Sequence, residues 1–300
     1  MTRRTSHAAA GMLAVALVLA ACGSTEATTS SNSAGTLLVS PQNSALLIGV
    51  NRVAIALNAA DKSPVTDAQV TLLIQGSAGT FETRQLEYIG HNYGNIPVYI
   101  GTAKFDQTGD YRFVVQAVLK DGHHDSGAAV VTVANHAAEL PVGHNVSEVQ
   151  AKSNLRQRIA ADPGVKLSDI DSGVPPDDFH TTTVADALAR HRPMILYFGE
   201  PGRCPSATCG PTVKVLQQIW PQYKDNFTFE HIEIHDPAPS EVFNPLYIAF
   251  GLTSEPWVYF VNADGVVADR FEGFVTPDEL RQAADGTLAG RVPAVSLSPS

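Results

Sequence analysis

The chain has 300 residues, 44% of them hydrophobic and 17% charged, with a formal net charge of −10. That profile is globular rather than disordered, the length suits about two domains, and 19 Pro with 23 Gly suit β-structure and turns better than a helical bundle. No basic run or stripe occurs, which argues against a nucleic-acid partner, and the acidity serves solubility.

The first elements in chain order read as export machinery rather than fold. Arg3 and Arg4 make a short positive region, and Ala8 to Ala20 is apolar but shorter than the span of about 20 residues that crosses a bilayer. Leu19-Ala20-Ala21 then sets small residues before Cys22, as at a signal cleavage site. Leu-Ala-Ala-Cys resembles the lipobox of bacterial lipoproteins. The resemblance implies a signal peptide over 1–21, a lipid on Cys22 and an anchor on the extracytoplasmic side of the cell envelope membrane. An ordinary signal with an incidental Cys is the alternative. Residues 22–35, rich in Ser, Thr and Ala, form a flexible tether.

Residues 36–135 carry short β-rich runs separated by turns. Arg52 to Leu57, Val70 to Ile74, Val98 to Phe105 and Ala128 to Val133 are strand candidates. In Tyr111 to Leu119, Phe113, Val115, Ala117 and Leu119 face one way. Asp61-Lys62-Ser63-Pro64, Thr108-Gly109-Asp110 and Asp121-Gly122 are turns. Six or seven such strands predict an all-β sandwich of immunoglobulin-like type, without the Cys…Trp…Cys signature. Residues 136–178, with four prolines, read as a connector with a short helix over Asn154 to Ala161.

From 179 to 290 helix and strand alternate, and 291–300 is a tail. Thr183 to Asp186 opens a helix to His191 as a capping box, and Met194 to Phe198 is a continuously apolar strand. A helix follows Gly210-Pro211, with Val213, Leu216, Ile219, Trp220 and Tyr223 at helical spacing. Phe227 to His235 is a strand, Ser240 caps a helix to Phe250, and Trp257 to Val261 is a strand. Asn262 to Gly265 turns into Val266 to Phe274. Thr276-Pro277-Asp278-Glu279 starts a last helix that ends near Gly286.

This order resembles the thioredoxin fold over residues 180 to 290. Leu196 to Cys204 is similar to the strand and loop leading into the redox cysteines, Ser254 to Phe260 to the cis-proline segment, and Asn262 to Phe274 to the final hairpin. The layout as a whole resembles exported bacterial lipoproteins that carry an immunoglobulin-like domain before an α/β thioredoxin-like domain. The resemblance implies thiol–disulfide exchange with extracytoplasmic protein thiols or disulfides through Cys204 and Cys209, with Pro256 cis against them and no cofactor. Two departures stand out. Four residues separate the cysteines instead of two, and Glu255 replaces the small or β-branched residue that usually precedes the cis-proline. Cys204 is favoured as the attacking thiol and Cys209 as the resolving one, although Cys209 also precedes Gly-Pro as an attacking thiol does. A structural staple is the competing reading of the pair.

Two other classes stay open. One is a non-catalytic binding lipoprotein, with Tyr88, His91, Asn92 and Tyr93 as an aromatic loop that docks a partner or is an ordinary hairpin loop. The other is copper delivery of the Sco type. His231, Glu233 and His235 share a strand face, and His123-His124 sits in a turn beside Asp121 and Asp125. No His follows the Pro256 segment, as that type requires, so no metal site is expected. His180 and His191 flank a helix and are expected at the surface.

Overall fold

The computed structural model describes residues 36–291, apart from 77, 78, 80 and 154–156. The signal segment, Cys22, the tether and residues 292–300 lie outside the described residues. The described residues cluster as one compact unit. It is mostly β-sheet with few helices. Among the described residues no helix is long and apolar enough to cross a membrane.

The first half is an eight-stranded curled sheet. Its strands are β1 (Leu38–Pro41), β2 (Leu46–Leu47), β3 (Gly49–Asn58), β4 (Gln69–Gln75), β5 (Phe81–Tyr88), β6 (Val98–Phe105), β7 (Gly109–Val118) and β8 (His124–Ala134), in the order β1-β3-β6-β5-β4-β7-β8-β2. Alternation decides which face is interior: on β7 Phe113, Val115 and Ala117 are buried while Arg112 and Gln116 are exposed. These meet Ile55, Leu57 and Leu72 in one core. The curl brings the β1 end back to β8, where the Leu37 N–H donates to the Ser126 carbonyl at 3.0 Å.

The connector is built into the second half. Its helix, α1, is Val146–Ser153, earlier than the sequence reading put it, because Val146 and Val149 are the apolar residues that find a core. The Asn154–Ala161 expectation therefore fails over its described part, residues 157–161, which holds no helix. Then follow α2 (Val184–Ala189), β9 (Met194–Phe198), α3 (Cys209–Tyr223), β10 (Thr228–Ile232), α4 (Pro245–Ala249), β11 (Trp257–Val261), β12 (Val267–Glu272) and α5 (Pro277–Leu288). The four strands pair in the order β10-β9-β11-β12, with β9 and β10 parallel and the other pairs antiparallel. Every residue of β9 and β11 is buried, as expected of strands covered on both faces.

Local chemistry sets the helix starts. The Thr183 hydroxyl accepts from the Asp186 N–H at 3.0 Å, and Thr276 with Glu279 forms a reciprocal capping box. Ser240 does not cap α4; Asn244 does, accepting from the Leu246 N–H, because Pro245 then supplies the first-turn position. The loop Tyr88 to Tyr93 is not a free docking loop. The Tyr93 hydroxyl donates to Gln218 on α3 at 2.7 Å, and its ring lies 5.1 Å from that of Phe274. Across the same contact Arg52 on β3 pairs with Glu279 on α5 at 2.6 Å and donates to the Phe274 carbonyl at 2.7 Å.

Candidate redox site

The fully buried β9 delivers the chain into the loop 199–208, and α3 takes it up again at Cys209. Cys204 and Cys209 form a disulfide with their Cα atoms 5.9 Å apart, inside the range a bridge accepts. The two sulfurs live in different surroundings. Cys209 is fully buried, whereas Cys204 is partly exposed. The Cys209 N–H, at the first turn of α3, donates to the Cys204 sulfur at 3.3 Å, so the start of the helix faces the outer sulfur. Behind the pair, Tyr197 donates its hydroxyl to the Cys209 carbonyl at 3.0 Å.

The segment opposite arrives from β11. The Glu255–Pro256 peptide bond is cis. The Glu255 Oε2 lies 3.4 Å from the Cys209 sulfur and accepts the Glu200 N–H at 2.7 Å. A disulfide sulfur carries no proton, so a hydrogen bond across that gap needs the proton on Glu255. Burial pushes this carboxyl up to about 7, the negative Glu200 adds to the rise, and the Glu200 N–H, His235 and Arg203 pull against it. Glu200, itself buried, accepts from His235 Nδ1 at 2.8 Å. Arg203 fixes the loop from its other side, donating to the Ala238 and Ser240 carbonyls at 2.8 Å each.

The structure thus brings Cys204, Cys209, Glu255 and Pro256 together. It separates the two histidines expected to share a strand face, because β10 ends at Ile232 and His235 lies beyond it. His235 pairs with Glu200 and stacks on Phe243, while His231 pairs with Asp177 at 2.9 Å. His123 and His124 are exposed, His123 beside Asp121 at 3.1 Å. His191 is exposed, but the expectation that His180 is a surface residue fails. His180 is 4% exposed and contacts Asp171 at 3.1 Å. Asp171 and Asp177 went unread because they sit in an aperiodic, Pro-rich stretch. The one hint was Phe179, an apolar residue that drags this polar segment into the core.

No family model matches the chain, and no curated protein matches it. Among solved structures it is similar to a thiol:disulfide interchange protein of the thioredoxin family from Chlorobium tepidum TLS. That match has 18% identity and a TM-score of 0.30, and covers 36% of this chain and 88% of the other. It is also similar to CopC from Methylosinus trichosporium OB3b, at 13% identity and TM-score 0.25, over 33% of this chain and 97% of the other. A third is the superoxide reductase neelaredoxin from Ignicoccus hospitalis, at 9% identity and TM-score 0.23, over 33% and 80%. At these values none assigns an activity. The bridge between Cys204 and Cys209 is itself coarsely consistent with a thiol–disulfide role.

Proposed function

We propose that the chain is an extracytoplasmic thiol–disulfide oxidoreductase, anchored through a lipid on Cys22, with an immunoglobulin-like module before a thioredoxin-like domain. One observation carries the redox reading: a disulfide at the start of a helix has one partly exposed sulfur, and the carboxyl of Glu255 lies against the buried one. A loop staple has no use for a carboxyl at that position.

The exchange runs as follows. A partner thiolate attacks the Cys204 sulfur; the Cys204–Cys209 bond breaks, and Cys204 and the partner share a mixed disulfide. Cys209 leaves with the electron pair and takes the proton of Glu255. The partner's second thiolate then attacks its own sulfur in the mixed disulfide and releases Cys204 as a thiolate. The partner has lost two electrons and two protons, and the pair has gained the electrons. In reverse, the Glu255 carboxylate takes the Cys209 proton as that thiol attacks the mixed disulfide. The partner's potential sets the net direction.

The test is a reduction potential from a glutathione series together with trapping in Cys209→Ser. A potential above about −300 mV with partners held through Cys204 is expected. A bridge that stays oxidised under strongly reducing conditions, with no trapped partner, leaves a binding protein with a staple.

A further inference from the structure

Away from the cysteines, four buried side chains converge on one point. Asp171, Asp177, His180 and His231 are at most 7% exposed, and one ligand atom from each lies within 4.8 Å of all the others. His180 Nε2 is 3.1 Å from Asp171 Oδ2 and 3.4 Å from Asp177 Oδ1. His231 Nδ1 is 2.9 Å from Asp177 Oδ2 and 3.8 Å from Asp171 Oδ2. Ligands about 2.1 Å from a central tetrahedral ion stand about 3.4 Å from one another, and the four separations just given run from 2.9 to 3.8 Å around that value.

The far side of His231 sharpens the point. Its Nε2 faces the Gly199 carbonyl at 2.9 Å, so that nitrogen carries a hydrogen and donates. A neutral imidazole then has a bare lone pair at Nδ1, aimed at a carboxylate. Two acceptors facing each other in a buried site demand a cation between them. The Gly199 carbonyl does for the ring what outer partners do for metal-bound histidines: it fixes the tautomer. The carboxylates are also held. Asp171 accepts the Gly173 and Asp177 N–H groups at 2.6 Å each, and Asp177 accepts that of Phe179 at 2.9 Å. A second observation lies alongside. Glu233 is 3% exposed, its Oε2 has no partner, and its Oε1 is 3.7 Å from His231 Nε2. Glu233 shares with His180 and His231 the lining of a cavity of about 30 Å³, room for one or two waters.

We propose that Asp171, Asp177, His180 and His231 form a four-coordinate site for a divalent transition-metal ion of the zinc type. Two nitrogens and two carboxylate oxygens in a closed, buried set suit zinc and a structural role. The ion ties the segment 171–180 to β10 beside the redox loop, where the Ser172 hydroxyl accepts the Gly202 N–H at 3.0 Å. This set differs from the His231–His235 pair considered from the sequence, and it is independent of the cysteine chemistry.

The experiment is zinc and cobalt titration of the full-length Cys22→Ser/Cys204→Ser/Cys209→Ser chain, which removes all three thiols. One ion per chain, lost in His180→Ala, is expected. Cobalt in the parent chain should give a four-coordinate visible spectrum with no thiolate charge-transfer band, a readout that stands even where His180→Ala fails to fold. A folded parent chain that takes up no stoichiometric zinc or cobalt, and whose ¹⁵N spectrum shows a proton on His231 Nδ1, overturns the site: the cation is then a proton.

Discussion

The Glu255 carboxyl and the Cys209 sulfur lie 3.4 Å apart, the sulfur on a fully buried residue and the carboxyl on a partly exposed one. A carboxyl that titrates near 7 there can give a proton to Cys209 or take one from it at neutral pH.

Glu255→Gln should therefore slow the resolution of a Cys204 mixed disulfide by about 10²-fold, the usual scale for a positioned acid–base group. The wild-type rate should rise as pH passes through about 7, where Glu255 becomes able to accept. In the variant that limb should disappear. Stopped-flow decay of a preformed mixed disulfide reads both, and an unchanged pH profile refutes the role.

Stability should follow pH with a defined sign. Burial raises Glu255 to about 7 and Asp269 to about 6, each against an N–H donor that pulls it down. Both bind their proton more tightly folded than unfolded. Their stabilisation is thus complete below about 4 and is lost as pH rises through 6 and then 7. Thermal melts of the oxidised protein should fall across that window, and Glu255→Gln should flatten its upper part. A melt profile in the variant that superimposes on the wild type removes Glu255 from the account.

In the reduced protein Cys204 should alkylate well before Cys209, since only Cys204 reaches solvent. Timed iodoacetamide labelling with peptide mass spectrometry measures it. Equal rates at the two thiols contradict the assignment of roles.

Arg52 and Glu279 are each about one-fifth exposed, so their pair is neither fully screened nor fully desolvated. Arg52→Ala should cost about 1–3 kcal/mol, because the Phe274 carbonyl also loses a charged donor. A denaturant series shows whether one transition persists. A loss below about 0.5 kcal/mol would make the contact incidental.

Cys22→Ala should move the protein from the membrane to the soluble fraction. Fractionation of both forms decides it, and identical partitioning sinks the anchor.

The candidate site was legible in the sequence where chain order and spatial order coincide. The apolar strand, Cys204, Cys209-Gly210-Pro211 and the Pro256 segment each announce themselves locally, through an apolar run or a turn residue. What escaped was assembled from distance. His180, Asp171 and Asp177 carry no periodicity, and only folding of the connector sets them against His231 on β10. The Tyr93 contact escaped for the same reason, since a hairpin loop has no local mark that says which helix it will meet. Three of the eight strands were not singled out: β1 and β2 are too short to show alternation, and β5, Phe81–Tyr88, is mostly polar in sequence.

The connector has one more effect, on the margins of the four-stranded sheet. Along β10 the His231 N–H donates to the Phe179 carbonyl at 2.9 Å, and along β12 the Val267 N–H donates to the His144 carbonyl at 2.9 Å. An unpaired strand margin is a template on which another chain can add itself and grow. With Phe179 and His144 already seated at those two positions, a strand from another chain finds both margins occupied there.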